Sequence, residues 1–161
     1  MTKLRKIVFI GDASVGKTSI IHKYLKNDLP DRPTIGLDIH HVVVQDNKMV
    51  IWDLSGQSKF KEVLHPYLRG ADLYVLVFDL TRKKSLENLL MWSKMLAEVA
   101  SNNAKVVLVG NKKDLGKAID DKEIREKLNE LPIKVIDYIE TSALTGENIE
   151  ELFNKIAAYV K

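Results

Sequence analysis

A phosphate-binding pattern stands near the start of the chain, in the eight residues Gly11-Asp12-Ala13-Ser14-Val15-Gly16-Lys17-Thr18. The spacing G-x-x-x-x-G-K-[ST] places backbone N–H groups around phosphates, a lysine at the β- and γ-phosphates and a hydroxyl at Mg²⁺. A chance glycine-rich turn is the alternative. The flanking residues argue against it, because Leu4 to Ile10 is a mostly apolar run that suits a buried strand and the residues after Lys17 have helical spacing.

A second polar group, Asp53-Leu54-Ser55-Gly56-Gln57, follows a later apolar strand. A carboxylate at Asp53 can hold Mg²⁺ through water, and the N–H of Gly56 can reach a γ-phosphate. The amide of Gln57 can orient an attacking water. The irregular stretch from Asp28 to Gly36 could carry a second hydroxyl to the metal. These residue types predict hydrolysis of a nucleoside triphosphate.

The groups that could recognise a base follow two other strands. In Asn111-Lys112-Lys113-Asp114, the carboxylate has two acceptor oxygens that suit the adjacent N1–H and N2–H₂ donors of guanine, a pair that adenine lacks. In Thr141-Ser142-Ala143, a small-residue turn, a backbone N–H could meet guanine O6. The sequence therefore predicts guanine as the base.

These groups can meet only if the elements around them form an α/β sheet, because ligands of such sheets bind beyond the carboxyl ends of the strands. Strands are predicted at about residues 4–10, 38–45, 49–54, 73–79, 105–110 and 133–139. Helices are predicted at about residues 17–26, 84–100, 121–130 and 148–160. Asp46-Asn47-Lys48 is short enough to join an antiparallel hairpin, and the other strands require parallel crossovers.

Composition limits the class of protein. The 161 residues suit one domain, residues 1–161, and a net charge of +3 is too weak to indicate nucleic-acid binding. The sequence contains no cysteine, which excludes disulfides and a cysteine-linked lipid anchor on this chain and fits a reducing compartment. No apolar run is long enough to span a bilayer. We therefore expect a cytoplasmic monomer without membrane insertion.

Taken together, these motifs resemble those of the Ras superfamily of small GTPases, in the same order and over essentially the whole chain. The resemblance implies a P-loop small G-domain whose six-stranded, mostly parallel sheet has one antiparallel edge strand and helices, five of them major, on both faces. It implies GTP and GDP as ligands and slow hydrolysis of GTP. Residues 27–40 and 55–70 would then change conformation to control binding of effector, exchange-factor and GTPase-activating proteins.

The resemblance also assigns roles residue by residue. Catalysis is assigned to Gln57, Lys17 and Gly56. Mg²⁺ is assigned to Thr18, Thr34 and, through water, Asp53. The nucleotide is assigned to Ser14, Val15, Gly16, Lys17, Thr18, Ser19, Thr34, Gly56, Asn111, Lys112, Asp114, Ser142 and Ala143.

Within the superfamily the chain is most similar to the Rab branch, through Thr34 to Asp38, Ile51-Trp52-Asp53 and Tyr67 to Asp72. Trp52 and Tyr67 match two positions of the aromatic patch that Rab proteins present to effectors; core packing is the alternative interpretation. The chain also departs from the family: the stretch between Lys17 and Thr34 is two residues shorter than usual. Asn27 or Asp28 replaces an aromatic that normally packs on guanine, unless Leu29 substitutes.

Other interpretations stay open from the sequence. The first is a module that holds nucleotide without hydrolysing it, which Ser55 and Ser58 favour and Gln57 opposes. The second is a P-loop kinase for a small substrate, which the Asn111 to Asp114 motif opposes. Arg32, two residues before Thr34, could act as an internal arginine finger, although a solvated loop arginine is the simpler interpretation.

Overall fold

The computed structural model describes residues 3–27, 36–57 and 61–161. Six strands form one sheet in the order β2-β3-β1-β4-β5-β6. They are β1 (Arg5–Ile10), β2 (Leu37–Val44), β3 (Asn47–Leu54), β4 (Leu73–Asp79), β5 (Lys105–Asn111) and β6 (Val135–Glu140). Among these six described strands, only the β2–β3 pair, at one edge, is antiparallel. The predicted sheet is confirmed.

The helices are α1 (Lys17–Leu25), α2 (Lys61–Leu64), α3 (Lys83–Glu87), α4 (Leu89–Val99), α5 (Asp121–Glu130) and α6 (Ile149–Tyr159). Short 3₁₀ helices occupy His65–Leu68 and Lys113–Leu115. The helix predicted over residues 84–100 is interrupted at Asn88, which separates α3 from α4. The predictions for α1, α5 and α6 agree with the structure to within one residue at each end.

Alternating side chains of the central strands build two separate cores. Ile7 and Phe9 of β1 point to the face covered by α1 and α6, while Val8 and Ile10 point to the face covered by α4 and α5. All seven residues of β4 are buried, as expected for a parallel strand with helices on both faces. Helices therefore cover both faces of the sheet, as predicted.

A two-residue turn, Gln45–Asp46, joins β2 to β3. The connection predicted at Asp46–Lys48 is therefore wrong by one residue at its start and by two at its end. Both turn residues have positive φ, 50° and 66°, which is typical of the type I′ turn that matches strand twist. At the other end of the hairpin, Leu37 lies opposite Leu54, and the N–H of Ser55 donates to the carbonyl oxygen of Gly36 at 2.8 Å. The hairpin thus delivers both of its open ends to the same edge of the molecule.

No helix in the described part of the chain is both long and apolar enough to cross a bilayer.

Candidate functional site

The loop between β1 and α1 brings the predicted phosphate ligands together. Lys17 begins α1 and is buried, and its Nζ donates to the carbonyl oxygens of Gly11 at 2.9 Å and Asp12 at 2.7 Å. Burial lowers the pKa of Lys17 to about 8, although the charges of Asp53 and Asp12 oppose the shift. The loop therefore holds a desolvated ammonium group, which an anion would stabilise.

Backbone conformation and close packing shape this loop. Ser14 has a φ of 65° and Gly16 a φ of 99°, so both lie in the left-handed region. Such turns aim successive N–H groups into a concave anion site. A Cβ on Gly16 would lie 2.2 Å from Nδ2 of Asn111, so only glycine allows this approach. Val15, also predicted to contact the nucleotide, is buried, and its carbonyl oxygen accepts a hydrogen bond from Asn111 Nδ2 at 3.0 Å.

The two described residues predicted to hold the metal are in contact. Thr18 Oγ1 donates to Asp53 Oδ2 at 2.5 Å, and Asp53 is fully buried. Burial raises the pKa of Asp53, while the hydrogen bond from Thr18 and the charge of Lys17 lower it. Hydroxyl and carboxylate oxygens are the ligands that Mg²⁺ prefers, so this donor set fits the ion. Within the described ranges, no cluster of three or more His, Cys, Asp or Glu residues could hold a metal.

The loop after β3 lies directly against the phosphate loop. A Cβ on Gly56 would lie 2.2 Å from the backbone N of Ala13 and 2.2 Å from the carbonyl carbon of Asp12. Gln57 lines a cleft beside the same residues, and its N–H donates to Ser55 Oγ at 3.2 Å. Gly56 and Gln57 therefore lie beside Asp12 and Ala13 of the predicted phosphate loop. Thr34, Arg32, Leu29 and Ser58 lie outside the described residues.

Of the predicted base-recognition residues, Asn111, Lys112, Asp114 and Ala143 line a cavity of about 430 Å³ next to the phosphate loop. Gly16, Ser19 and the end of α1 form one wall, and the loops after β5 and β6 form the other. Asp114 contributes a carboxylate whose Oδ1 accepts a hydrogen bond from Ser142 Oγ at 2.7 Å. Ser142 thus orients the carboxylate that the sequence assigned to guanine.

Asn111 lines the cavity and also links the phosphate loop to the loop after β6. It is buried, and besides donating to Val15 it accepts hydrogen bonds through Oδ1 from Thr141 Oγ1 at 2.9 Å and from the N–H of Ala143 at 3.3 Å. The long contact with Ala143 is the weakest of these bonds. Within the Thr141–Ala143 turn, the N–H of Ala143 is therefore the group most able to donate a second hydrogen bond, for example to a carbonyl oxygen of a base.

Five cavity residues are not among the predicted site residues: His22, Lys23, Asn27, Leu115 and Leu144. His22 Nδ1 lies 2.5 Å from Asn27 Oδ1, and its ring packs edge-on against His40 with centroids 5.3 Å apart. His22 follows Thr18 by one helical turn, so the helical spacing after the phosphate loop was the available signal. Of these residues, Leu144 is 75% exposed.

The residues that resemble a Rab effector patch are accessible. Trp52 is half-buried and Tyr67 is 41% exposed, and Ile39, which lies opposite Trp52 in the β2–β3 hairpin, is 47% exposed. The rings of Trp52 and Tyr67 have centroids 6.0 Å apart, and Lys6 Nζ lies 3.8 Å from the centroid of the Trp52 ring. These side chains form a surface cluster with apolar area available to a partner.

Comparison with known proteins places this geometry in context. A model of the Ras family matches residues 6–161. The Ras-related protein RABA2b of Arabidopsis thaliana is 34% identical over 165 residues, which covers 98% of this chain and 76% of that protein. The GTP-binding protein ypt3 of Schizosaccharomyces pombe is 35% identical over 161 residues, with 95% and 74% covered. The Ras-related protein Rab-36 of Homo sapiens is 37% identical over 165 residues, with 97% and 61% covered.

Proposed function

Because the chain belongs to the Ras family, near its Rab branch, we propose that it binds GTP and GDP with Mg²⁺, slowly hydrolyses GTP and thereby controls partner binding. One observation carries the proposal. Asn111 connects the phosphate loop at Val15 to the loop that holds Asp114 and Ser142. A ligand in the adjoining cavity would thus have an ammonium group at one end and an oriented carboxylate at the other, which suits a guanine nucleotide.

Hydrolysis would depend on positioning and on neutralisation of charge. Lys17 would supply positive charge to the β- and γ-phosphate oxygens, and Gln57 would orient the attacking water. Mg²⁺, when bound, neutralises further phosphate charge, and Thr18, Thr34 and, through water, Asp53 would hold it. The rate should be slow, since an arginine supplied by a partner typically adds about 10³ to 10⁵ in rate to such reactions.

The proposed switch uses the two loops at the ends of the β2–β3 hairpin. Thr34 and Gly56 would contact the γ-phosphate or its metal only while that phosphate is present, so hydrolysis would release both loops. The surface offered by residues 27–40 and 55–70 would then change, including the cluster of Ile39, Trp52 and Tyr67. That cluster is the proposed contact for effector, exchange-factor and GTPase-activating proteins.

We propose the remaining features from the sequence. Residues 1–161 would act as one domain, which is supported by a single sheet whose strands come from both halves of the chain. A cytoplasmic location fits the cysteine-free sequence, and the protein would act as a monomer.

The first test identifies the nucleotide that is released when the purified protein is denatured, followed by multiple-turnover GTP hydrolysis with and without Mg²⁺. Bound GDP and slow, Mg²⁺-dependent turnover are expected. GTP retained without turnover would instead indicate a module that does not hydrolyse it. Adenine nucleotide would contradict the assignment of the base.

A substitution that should change the preferred base from guanine to xanthine tests the base site more directly. Asp114→Asn replaces one acceptor oxygen by a donor, which mismatches guanine and matches xanthine, whose C2 carries an oxygen. Guanine nucleotide affinity should fall by about 10²-fold or more and xanthine nucleotide affinity should rise, because mispaired buried polar groups are strongly rejected. Asp121→Asn, an exposed carboxylate on α5, is the matched control and should change neither affinity. Unchanged guanine preference in Asp114→Asn would refute the site.

A further inference from the structure

The carboxylate of Asp12, inside the phosphate loop, is held by two side chains from the region where α3 meets α4. Asn88 Nδ2 donates to Oδ2 at 2.7 Å, and Trp92 Nε1 donates to Oδ1 at 2.7 Å. Trp92 is only 2% exposed, so its indole N–H has little access to water and depends on this acceptor. The loop is thereby joined to residues that lie far away in the sequence.

A third side chain reaches the next residue of the loop. Arg82 Nη2 donates to the carbonyl oxygen of Ala13 at 3.0 Å, while its Nε donates to Asp79 Oδ2 at 3.1 Å. Asp79 is buried, and the same Oδ2 atom lies 3.1 Å from Lys112 Nζ. Arg82 therefore connects the phosphate loop, through Asp79, to a lysine of the proposed base site.

These contacts leave the loop able to bind phosphate, because they use groups that a phosphate does not need. Asn88, Trp92 and Arg82 all donate to acceptors, namely a carboxylate and a carbonyl oxygen. A phosphate binds the N–H donors of such a loop. The three side chains can thus remain in place while the nucleotide is bound.

The same peptide also touches the loop after β3. A Cβ added to Gly56 would lie within 2.2 Å of the Asp12–Ala13 peptide, so Gly56 could not shift towards it without moving it. Gly56 is the residue proposed to respond to the γ-phosphate. A movement of Gly56 would therefore displace Asp12 and, through the hydrogen bond to its carboxylate, Trp92.

The geometry points to Arg82, Asn88 and Trp92 as positioning residues that hold the Asp12–Ala13 peptide in its nucleotide-binding shape and carry the state of the phosphate site to helix α4. This inference rests on the proposed function as a guanine-nucleotide switch. It adds residues that no motif of the phosphate loop contains, and it makes α4 a third nucleotide-responsive element beside the two loops of the hairpin.

Release of a fluorescent GDP analogue tests the positioning role. Asp12→Ala should speed release by about tenfold or more, and Trp92→Phe, which keeps an aromatic ring but removes the donor, by about fivefold. The double variant should be no faster than Asp12→Ala, because both changes remove the same interaction. Asn88→Ala, a half-buried position, gives a second probe with a smaller packing change and should speed release by a few-fold.

Asp72→Ala is the matched control. Asp72 is also a half-buried carboxylate, which accepts a hydrogen bond from the N–H of Lys6 at 2.9 Å, but it precedes β4 at the opposite end of the sheet. It should leave GDP release unchanged. Urea unfolding of every variant separates a local effect on the loop from general destabilisation.

A spectroscopic readout tests the coupling, which a purely structural role would not produce. Trp52→Phe leaves Trp92 as the sole tryptophan, since the chain has two. Its emission should differ between the GDP-bound protein and the protein bound to a non-hydrolysable GTP analogue, and adding Asp12→Ala should abolish the difference.

The outcomes separate this inference from the proposed function. If the unmodified protein binds no guanine nucleotide, both are overturned. If it binds and hydrolyses GTP but the Asp12 and Trp92 variants release GDP at the normal rate, or if Trp92 emission is the same in both states, the positioning inference alone is overturned. Strictly multiplicative effects of Asp12→Ala and Trp92→Phe on the release rate would also contradict it.

Discussion

The burial of Lys17 predicts that nucleotide binding takes up a proton at mildly alkaline pH. Without nucleotide, desolvation lowers the pKa of this lysine to about 8, from an ordinary value of 10.5. Phosphate oxygens beside the ammonium group would stabilise its charged form and return the pKa towards the ordinary value. The nucleotide-bound protein should therefore hold a proton that part of the nucleotide-free population has lost.

The size of the effect follows from that pKa. At pH 8 about half of the nucleotide-free molecules carry a neutral Lys17, so binding should take up about 0.5 proton per GDP, falling to about 0.1 at pH 7. The same linkage weakens GDP binding by about tenfold between pH 7 and pH 9, or about 1.4 kcal/mol. The terminal phosphate, with a pKa of about 6, is already ionised across this range.

Titration calorimetry at pH 8, in two buffers of different ionisation enthalpy, measures the proton uptake directly. This pH is preferable to higher values because guanine itself begins to lose its N1 proton in more alkaline solution. Guanosine, which has the base but no phosphate, is the matched ligand and should bind without this uptake. Tight GDP binding with no proton uptake at pH 8 would show that Lys17 is already charged without nucleotide, and the burial argument would be wrong.

Three further predictions concern stability and the shape of the site. Leu108→Ala, in the fully buried centre of β5, should lower the free energy of unfolding by about 2–5 kcal/mol in urea titrations; a loss below 1 kcal/mol would contradict the assigned packing. Asp120 caps α5, with Oδ1 accepting from the N–H of Glu123 at 2.8 Å, so Asp120→Ala should cost about 1 kcal/mol. The neighbouring exposed Asp121→Ala should cost less than about 0.5 kcal/mol in the same assay, and equal losses would argue against the cap. Gly16→Ala would force a Cβ towards the amide of Asn111 at a left-handed backbone position; GDP affinity should fall more steeply than stability, and normal affinity would refute the close approach.

The sequence was most informative where local pattern and tertiary environment agree. Parallel strands buried on both faces must be apolar runs, so β1, β4 and β5 could be located from composition alone. The phosphate loop and the Asn111 to Asp114 motif could be placed at one site because the carboxyl ends of parallel strands share an edge. The same reasoning could not show that Asn111 is a buried link between the two ends of the site.

Long-range contacts explain what the sequence did not reveal. The periodicity of residues 84–100 predicts one helix, whereas Asn88, whose side chain reaches Asp12, separates two helices. Trp92, which no motif of the sequence analysis contains, is among the largest fully buried side chains, at 2% exposure. Asn88 and Trp92 are four residues apart and therefore share a helix face, which was the available signal. Nothing local indicates that their partner would be a residue of the phosphate loop.

The hairpin turn was misplaced for a different reason. Sequence rules favour glycine or asparagine where φ is positive, and this chain uses Gln45 and Asp46. Asn47, which looks like a turn residue, instead begins β3 opposite Val44. Pairing along the whole length of the two strands decides the register here, and it overrides the preferences of single turn residues.

The hydrogen bond from the N–H of Ser55 to the carbonyl oxygen of Gly36 joins the two open ends of the β2–β3 hairpin. We therefore expect the hairpin to move as one unit. Each open end of the hairpin leads into one of the two segments proposed to respond to the nucleotide, and the bond joins those ends at 2.8 Å. A displacement of either segment should thus be transmitted to the other, so we expect the two segments to change conformation together rather than in sequence. The turn at Gln45 and Asp46 lies at the opposite end of the hairpin. A partner that binds along the open edge of β2 would therefore affect both segments at once, without contacting either.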